Sequence, residues 1–269
     1  MQETHRNHVV GGNLPDSEFE VKTRERDFHD QRYGAESDPR EGLSGYYSVT
    51  REATELYQAL IRKSAPIGAT VLEYGCGASE NLEFYKSLNC SLYGIDISSE
   101  AIKKAKVTAA AHDFPVNYAV ADAEDTKLNS HFFDLVVGSA ILHHLNIKRA
   151  LAELRRVTKG SGVCIFWEPL GHNPLINTFR ALTPKLRSPD EHPLRTGDFE
   201  IMRQYFAGVE VSYFNCFSLG AVAFRGTRFF DSVRRSLSEL DAYMVRKFQW
   251  FGKHCWICVI RLSHPLNPD

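Results

Sequence analysis

An α/β fold built on a doubly wound, mostly parallel sheet follows from three features of the sequence. Five short apolar runs, Thr70–Tyr74, Ser91–Ile97, Val116–Val120, Phe133–Gly138 and Val163–Trp167, alternate with segments of helical period. The first run ends in Gly75-Cys76-Gly77, a pairing suited to a tight strand-to-helix turn. Two more runs, Val209–Phe217 and Cys255–Leu262, follow near the C-terminus. The expected sheet therefore has seven strands, the last antiparallel, with helices on both faces.

The helices are read in the same way. Residues 1 to about 20 are polar, carry no apolar period, and are expected to be disordered or loosely attached. Phe19–Gly45 mixes charges with aromatics and is expected to hold a short helix. Thr50–Lys63 places Ala53, Leu56, Tyr57, Leu60 and Ile61 at 3–4 spacing, and Pro66 and Gly68 close it. Ser79–Leu88 and Lys148–Val157 read as helices, and Ser98 caps another through about Ala111, with Ala101, Ile102 and Ala105 inward. Leu170–Thr196 contains Pro174, Pro184, Pro189 and Pro193 and cannot be one continuous helix. Gly197–Phe206 and most of Arg225–Trp250 read as helical. The expected division is an N-terminal helical arm or lid over 1–49 and one domain over 50–269. Inserts at about 170–196 and 218–252 would form lid-like walls of a pocket.

Composition narrows the function. The 269 residues are 43% hydrophobic with a formal net charge of −1. That balance offers no concentrated basic face for nucleic acid. No apolar run approaches the roughly 20 residues of a membrane span. Early charges without an apolar h-region argue against a secretory signal. Six scattered cysteines read as reduced thiols, so a cytoplasmic location is expected. Cys255 and Cys258 form a lone pair on a presumed strand, where residues three apart face opposite ways, so no metal site is expected there.

Ligands of open parallel sheets bind at the carboxyl ends of the strands. Asp96 ends the second strand, 21 residues after Gly75, a spacing at which an acid reaches ribose hydroxyls. Asn81 and Leu82 stand where a dinucleotide site expects its third glycine, which disfavours an NAD-dependent oxidoreductase. The sequence resembles the class I S-adenosylmethionine (SAM)-dependent methyltransferases of small-molecule type, with their Rossmann-like fold. The resemblance rests on Val71-Leu72-Glu73-Tyr74-Gly75-Cys76-Gly77, Gly94-Ile95-Asp96-Ile97-Ser98, Ala121-Asp122-Ala123-Glu124, Phe133-Asp134-Leu135-Val136-Val137 and Leu142-His143-His144-Leu145. It covers about residues 50 to 215 and implies SAM as cofactor. It implies that Glu73, Gly75 and Gly77 hold the methionine moiety and Asp96 the ribose. Ile97 would pack on the adenine, Asp122 and Ala123 would bond its edge, and Ser139 would close the site. Tyr74 departs from the family, where Asp or a small residue is frequent, and is expected to narrow the turn. Asp134 and Cys76 read as structural.

Methyl transfer is an in-line displacement, so the protein must align acceptor and methyl, exclude water and, for a hydroxyl or amine, supply a base. His143 and His144 are the first candidates, with packing against the cofactor loop as the plainer alternative. Glu168, ending the fifth strand, would bind the acceptor or a water, or bond the following loop. His172 and His192, in the proline-stiffened insert, are candidates for substrate contact, as are Tyr46 and Phe179. Phe28, Tyr33 and Tyr47 are further aromatics of the arm. Arg180, Lys185, Arg187 and Arg195 would receive an acidic or phosphorylated acceptor, or merely solvate the surface. His172, Asp190, Glu191 and His192 could gather around a metal, but displacement from SAM requires none, and none is expected. The expected reaction is methylation of a small aromatic or isoprenoid-type metabolite, at oxygen first, then nitrogen or carbon. A non-catalytic SAM-binding protein is the alternative. The arm and the helix after Arg225 are candidate surfaces for a homo-oligomer.

Overall fold

The computed structural model describes residues 17–35 and 44–267. Within them lies a seven-stranded sheet in the order β3-β2-β1-β4-β5-β7-β6. The strands are β1 (Thr70–Tyr74), β2 (Ser91–Asp96), β3 (Val116–Val120), β4 (Phe133–Ser139), β5 (Thr158–Pro169), β6 (Phe206–Phe214) and β7 (Ile257–Pro265). Neighbours among β1–β5 pair in parallel, and β7 runs antiparallel to both β5 and β6. The chain order reverses between β1 and β4, which opens the crevice beside β1 where such folds take their ligands.

The helices are α1 (Glu18–Gly34), α2 (Ser44–Tyr47), α3 (Arg51–Ser64), α4 (Leu82–Lys86), α5 (Ser99–Ala111), α6 (Ile147–Val157), α7 (Pro174–Leu182), α8 (Thr196–Met202) and α9 (Phe230–Lys247). The central strands β1 and β4 bury apolar side chains on both faces because helices cover both. Leu72, Tyr74 and Val136 enter one buried cluster with Leu151 and Leu154 of α6, while Val71, Leu135 and Val137 enter the other with Ala53 and Ile61 of α3. Ser98 caps α5 through its hydroxyl to Ala101 N, and Ala101, Ile102 and Ala105 are buried as their spacing requires. Asp134 accepts from the Thr70 N–H at 2.9 Å and from the Lys159 ammonium at 2.8 Å, stitching the starts of β1, β4 and β5. Its role is structural.

Several boundaries differ from the sequence reading. The helix expected from Ser79 begins only at Leu82, because Ser79 is left-handed at φ 52° and still belongs to the turn. The strand expected over Val209–Phe217 is displaced to Phe206–Phe214, and Asn215, at φ 66°, ends it by bonding Val49 O. Cys255 precedes β7 rather than lying on it. The two thiols therefore do not diverge to opposite faces; Cys255 and Cys258 are both wholly buried in one cluster. Of the arm expected to be loose, residues 1–16 lie outside the described residues, while Ser17 caps α1 with Glu20 in a capping box.

Candidate active site

A cavity of about 1210 Å³ opens at the carboxyl ends of β1, β2 and β4. Its floor is the turn after β1. Gly75 and Gly77 hold φ of 73° and 52°, and a Cβ on Gly75 would stand 2.8 Å from the Ile141 side chain. A Cβ on Gly77 would meet the Tyr33 hydroxyl at 2.4 Å. Only glycine permits both the conformation and the close approach. Tyr74 does not narrow this turn. Its ring points to the opposite face, stacks edge-on with Phe166, and donates its hydroxyl to Ala123 O. Strand alternation separates it from Glu73, which faces the cavity.

The acids are set by backbone donors. Asp96 accepts from Gly77 N and Ser98 N, each at 2.9 Å, so it ties the glycine turn to the end of β2. Each carboxylate oxygen keeps a lone pair for a hydroxyl donor. Burial pushes the Asp96 carboxyl above its ordinary range despite those bonds. Glu73 accepts from the Ser79 hydroxyl at 2.8 Å. Burial pushes it up to about 7, against the pull of the Ser79 and Tyr85 hydroxyls. A cationic group entering beside Glu73 would find a carboxyl ready to ionise. A left-handed glycine turn with two carboxyls at neighbouring strand ends facing one cavity fits an amino acid and ribose bound in extended form.

Helix α1 roofs the cavity. Lys22 reaches Asp122 at 2.5 Å and Glu124 at 3.1 Å, Arg24 pairs with Asp190 at 2.8 Å, and Asp30 accepts from the Ser98 hydroxyl at 2.6 Å. Glu25, in the middle of the helix, accepts from the Ser188 hydroxyl and lies 3.1 Å from His144. Asp122 is thus already engaged by a lysine from the roof.

A second cavity of about 250 Å³ lies behind the first, and Tyr47, Ala140 and Trp167 line both. Its walls include Ile176, Phe179, Leu186 and Val222, with Arg180 and Arg187 beside Glu191. Burial and the adjoining Arg187 push Arg180 down to about 10. His143 lines this second cavity and His144 the first. The His143 Nδ1 stands 2.8 Å from Glu168 Oε2, while Glu168 Oε1 accepts from Ile141 N and Leu142 N, each at 2.8 Å. Glu168 is wholly buried and touches neither cavity; burial pushes it up to about 7 against those N–H groups. Burial and the ring of His143 push His144 down to about 4.

The eight residues assigned to the cofactor, Glu73, Gly75, Gly77, Asp96, Ile97, Asp122, Ala123 and Ser139, all line the larger cavity. Of the acceptor candidates, Phe179 lines the smaller cavity, and His192 lines the larger one from an exposed position. His172 lines neither; it lies beside Thr196, whose N–H points to its Nε2 at 3.4 Å. Among the described residues, the ligand atoms of His172, Asp190, Glu191 and His192 do not converge as a metal-binding group. Tyr46 lies on α2, and its side chain is outside the described residues. Sequence reasoning missed Lys22, Glu25 and His29 of α1 and the indole of Trp167, whose buried N–H has no hydrogen-bond partner among the described residues. The 3–4 spacing of Lys22, Glu25 and His29 was the available signal.

Residues 72–166 match the family model described as methyltransferase domain. An uncharacterised protein of Methanocaldococcus jannaschii is 40% identical over 136 residues, 46% of this chain and 51% of that protein. The malonyl-[acyl-carrier protein] O-methyltransferase of Hamiltonella defensa is 29% identical over 124 residues, 40% of this chain and 46% of that protein. The chain thus spans about half the length of these curated relatives. The structure of Haemonchus contortus phosphoethanolamine N-methyltransferase 2, with phosphomonomethylethanolamine and S-adenosylhomocysteine, shares the fold at a TM-score of 0.61 and 17% identity, covering 90% of this chain and 60% of that one. The matched stretch, about a third of the chain, thus carries a methyltransferase-domain sequence, on the fold of an N-methyltransferase solved with S-adenosylhomocysteine. Among the described residues no helix is long and apolar enough to cross a membrane.

Proposed function

We propose that this protein transfers a methyl group from SAM to an oxygen of a small molecule with an apolar body and an acidic end. The observation that carries this reading is His143 on the wall of the smaller cavity, its ring held at 2.8 Å by the buried Glu168 behind it. Bound in the larger cavity, SAM supplies a methyl group on a positively charged sulfur. The remaining work is positioning, water exclusion and removal of a proton.

Glu168, held by two backbone N–H groups, fixes the His143 ring through Nδ1. The Nδ1 proton then points to the carboxylate, and Nε2 is the nitrogen that takes the acceptor's proton. The buried Trp167 N–H, on a ring shared by both cavities, donates to the acceptor near the junction. Ile176, Phe179, Leu186 and Val222 hold the apolar body. Arg180 and Arg187 favour a carboxylate or phosphate at its far end. In this reading the inserts at about 170–196 and 218–252 supply the acceptor walls, and the N-terminal segment acts as a lid.

The test is incubation with methyl-labelled SAM and a metabolite extract, followed by mass spectrometry of labelled products. Wild-type protein should yield a labelled apolar acid, and His143→Gln should yield it far more slowly. Tight SAM binding with no transfer to any compound would instead favour a non-catalytic SAM-binding protein.

A further inference from the structure

We propose that Glu25, His29 and His144 form a binding site for one divalent cation of the zinc type, bridging α1 to the loop after β4. The proposal does not depend on which molecule is methylated.

Three side chains converge there. The Glu25 Oε2 stands 3.1 Å from His144 Nδ1 and 3.6 Å from His29 Nε2, and the three donor atoms lie within 4.8 Å of one another. With metal–donor distances of about 2.0–2.1 Å, neighbouring donors in a tetrahedral shell stand about 3.3 Å apart, between the two separations seen. The two imidazole planes are nearly perpendicular, at 78°, so the rings approach without stacking.

A second observation points the same way. Glu25 Oε2 and His144 Nδ1 are both buried, and neither has a hydrogen-bond partner among the described residues. They are close, yet not aligned for a hydrogen bond to each other. Leaving both atoms unsatisfied in the interior is costly, about 1–3 kcal/mol for each group. A cation at their common focus with His29 satisfies both at once. The carboxylate is also held in place, because the Ser188 hydroxyl donates to its other oxygen. Fixed orientation of a ligand by an outer hydrogen bond is a recurrent feature of metal sites.

The donor set of two imidazoles and one carboxylate selects borderline first-row ions over magnesium or calcium, which prefer oxygen. All three residues line the larger cavity, so a fourth coordination position faces it, as in open zinc sites. Glu25 and His29 belong to the roof and His144 to the body, so the ion would pin the roof shut.

Cobalt(II) titrated into the full-length protein, read by visible absorption, tests this. One ion per chain should bind with the intense bands of four-coordinate cobalt, and zinc should bleach them. His29→Gln and His144→Gln should each weaken binding by about a hundredfold or more. His112→Gln, at the remote exposed His112–Glu83 pair, should leave it unchanged. Circular dichroism melts establish that each variant is folded, and His29→Gln, at a half-buried position, decides the matter if His144→Gln does not fold. Absence of saturable binding by wild type below about 1 mM, or equal affinity in wild type and folded His29→Gln, overturns the proposal.

Discussion

His143 Nδ1 and Glu168 Oε2 stand 2.8 Å apart, and the other oxygen of the same carboxylate holds the Ile141 and Leu142 amides. One buried side chain thus sets both the ring and the backbone of the segment that separates the two cavities.

From that double role, two substitutions should behave differently. His143→Gln should lower kcat about 10²–10⁴-fold with SAM affinity unchanged, as expected for loss of a base. Glu168→Ala should also lower the free energy of unfolding by about 2–3 kcal/mol, because it strands buried N–H donors. Denaturant melts and labelled-SAM turnover separate the two effects.

On the proposed function, Glu73 should make SAM binding depend on pH. Its carboxyl is raised to about 7 by burial, while the bound amino acid presents an ammonium that favours the ionised form. Binding therefore strengthens as pH rises through 7, with Kd falling about tenfold between pH 6 and 8. For the cofactor-free protein the sign is opposite. A carboxyl raised in the folded state favours folding at low pH, and that contribution is lost as pH climbs from about 4.5 through 7. Calorimetric titration should show the slope in wild type and a flat profile in Glu73→Gln.

Gly75→Ala should abolish measurable SAM binding. The left-handed conformation costs about 1–2 kcal/mol for alanine, and the new methyl would press on Ile141 at 2.8 Å. Gly160→Ala, with nothing within 4 Å, serves as the control and should bind normally.

Trp167→Phe removes the one indole N–H at the junction while keeping an aromatic face. SAM affinity should hold, and KM for the acceptor should rise about tenfold, the worth of one hydrogen bond. A change in SAM affinity instead would assign the indole to the donor site.

Lys22→Ala should loosen the roof. Its pairs with Asp122 and Glu124 are partly exposed, so each contributes about 0.2–1 kcal/mol. Hydrogen exchange across α1 should quicken several-fold, with the central sheet unaffected.

How far the sequence led can be argued from these same residues. β1 and β3 were read to the residue because apolar runs bounded by turn signals leave little freedom. The residues assigned to the cofactor fall on one cavity because they sit at or just after strand ends, where sequence order translates directly into position. Helix α1 was harder. It has no apolar stripe, and Lys22 and Arg24 find their acids 100 and 166 residues away, pairings that no local pattern encodes. His172 and His192 looked equivalent in the insert. The chain sends only His192 toward the larger cavity, where its N–H bonds His143 O at 2.7 Å.

The α1 roof has a kinetic consequence. Lys22, Glu25 and His29 of this helix line the larger cavity, so the contacts along the helix stand between a molecule bound there and solvent. The outer ones are ion pairs at the surface, which salt weakens over a Debye length of about 10 Å at 0.1 M. On the proposed function, the residence time of the spent donor in this cavity should therefore shorten as ionic strength rises, which stopped-flow release at several salt concentrations would measure.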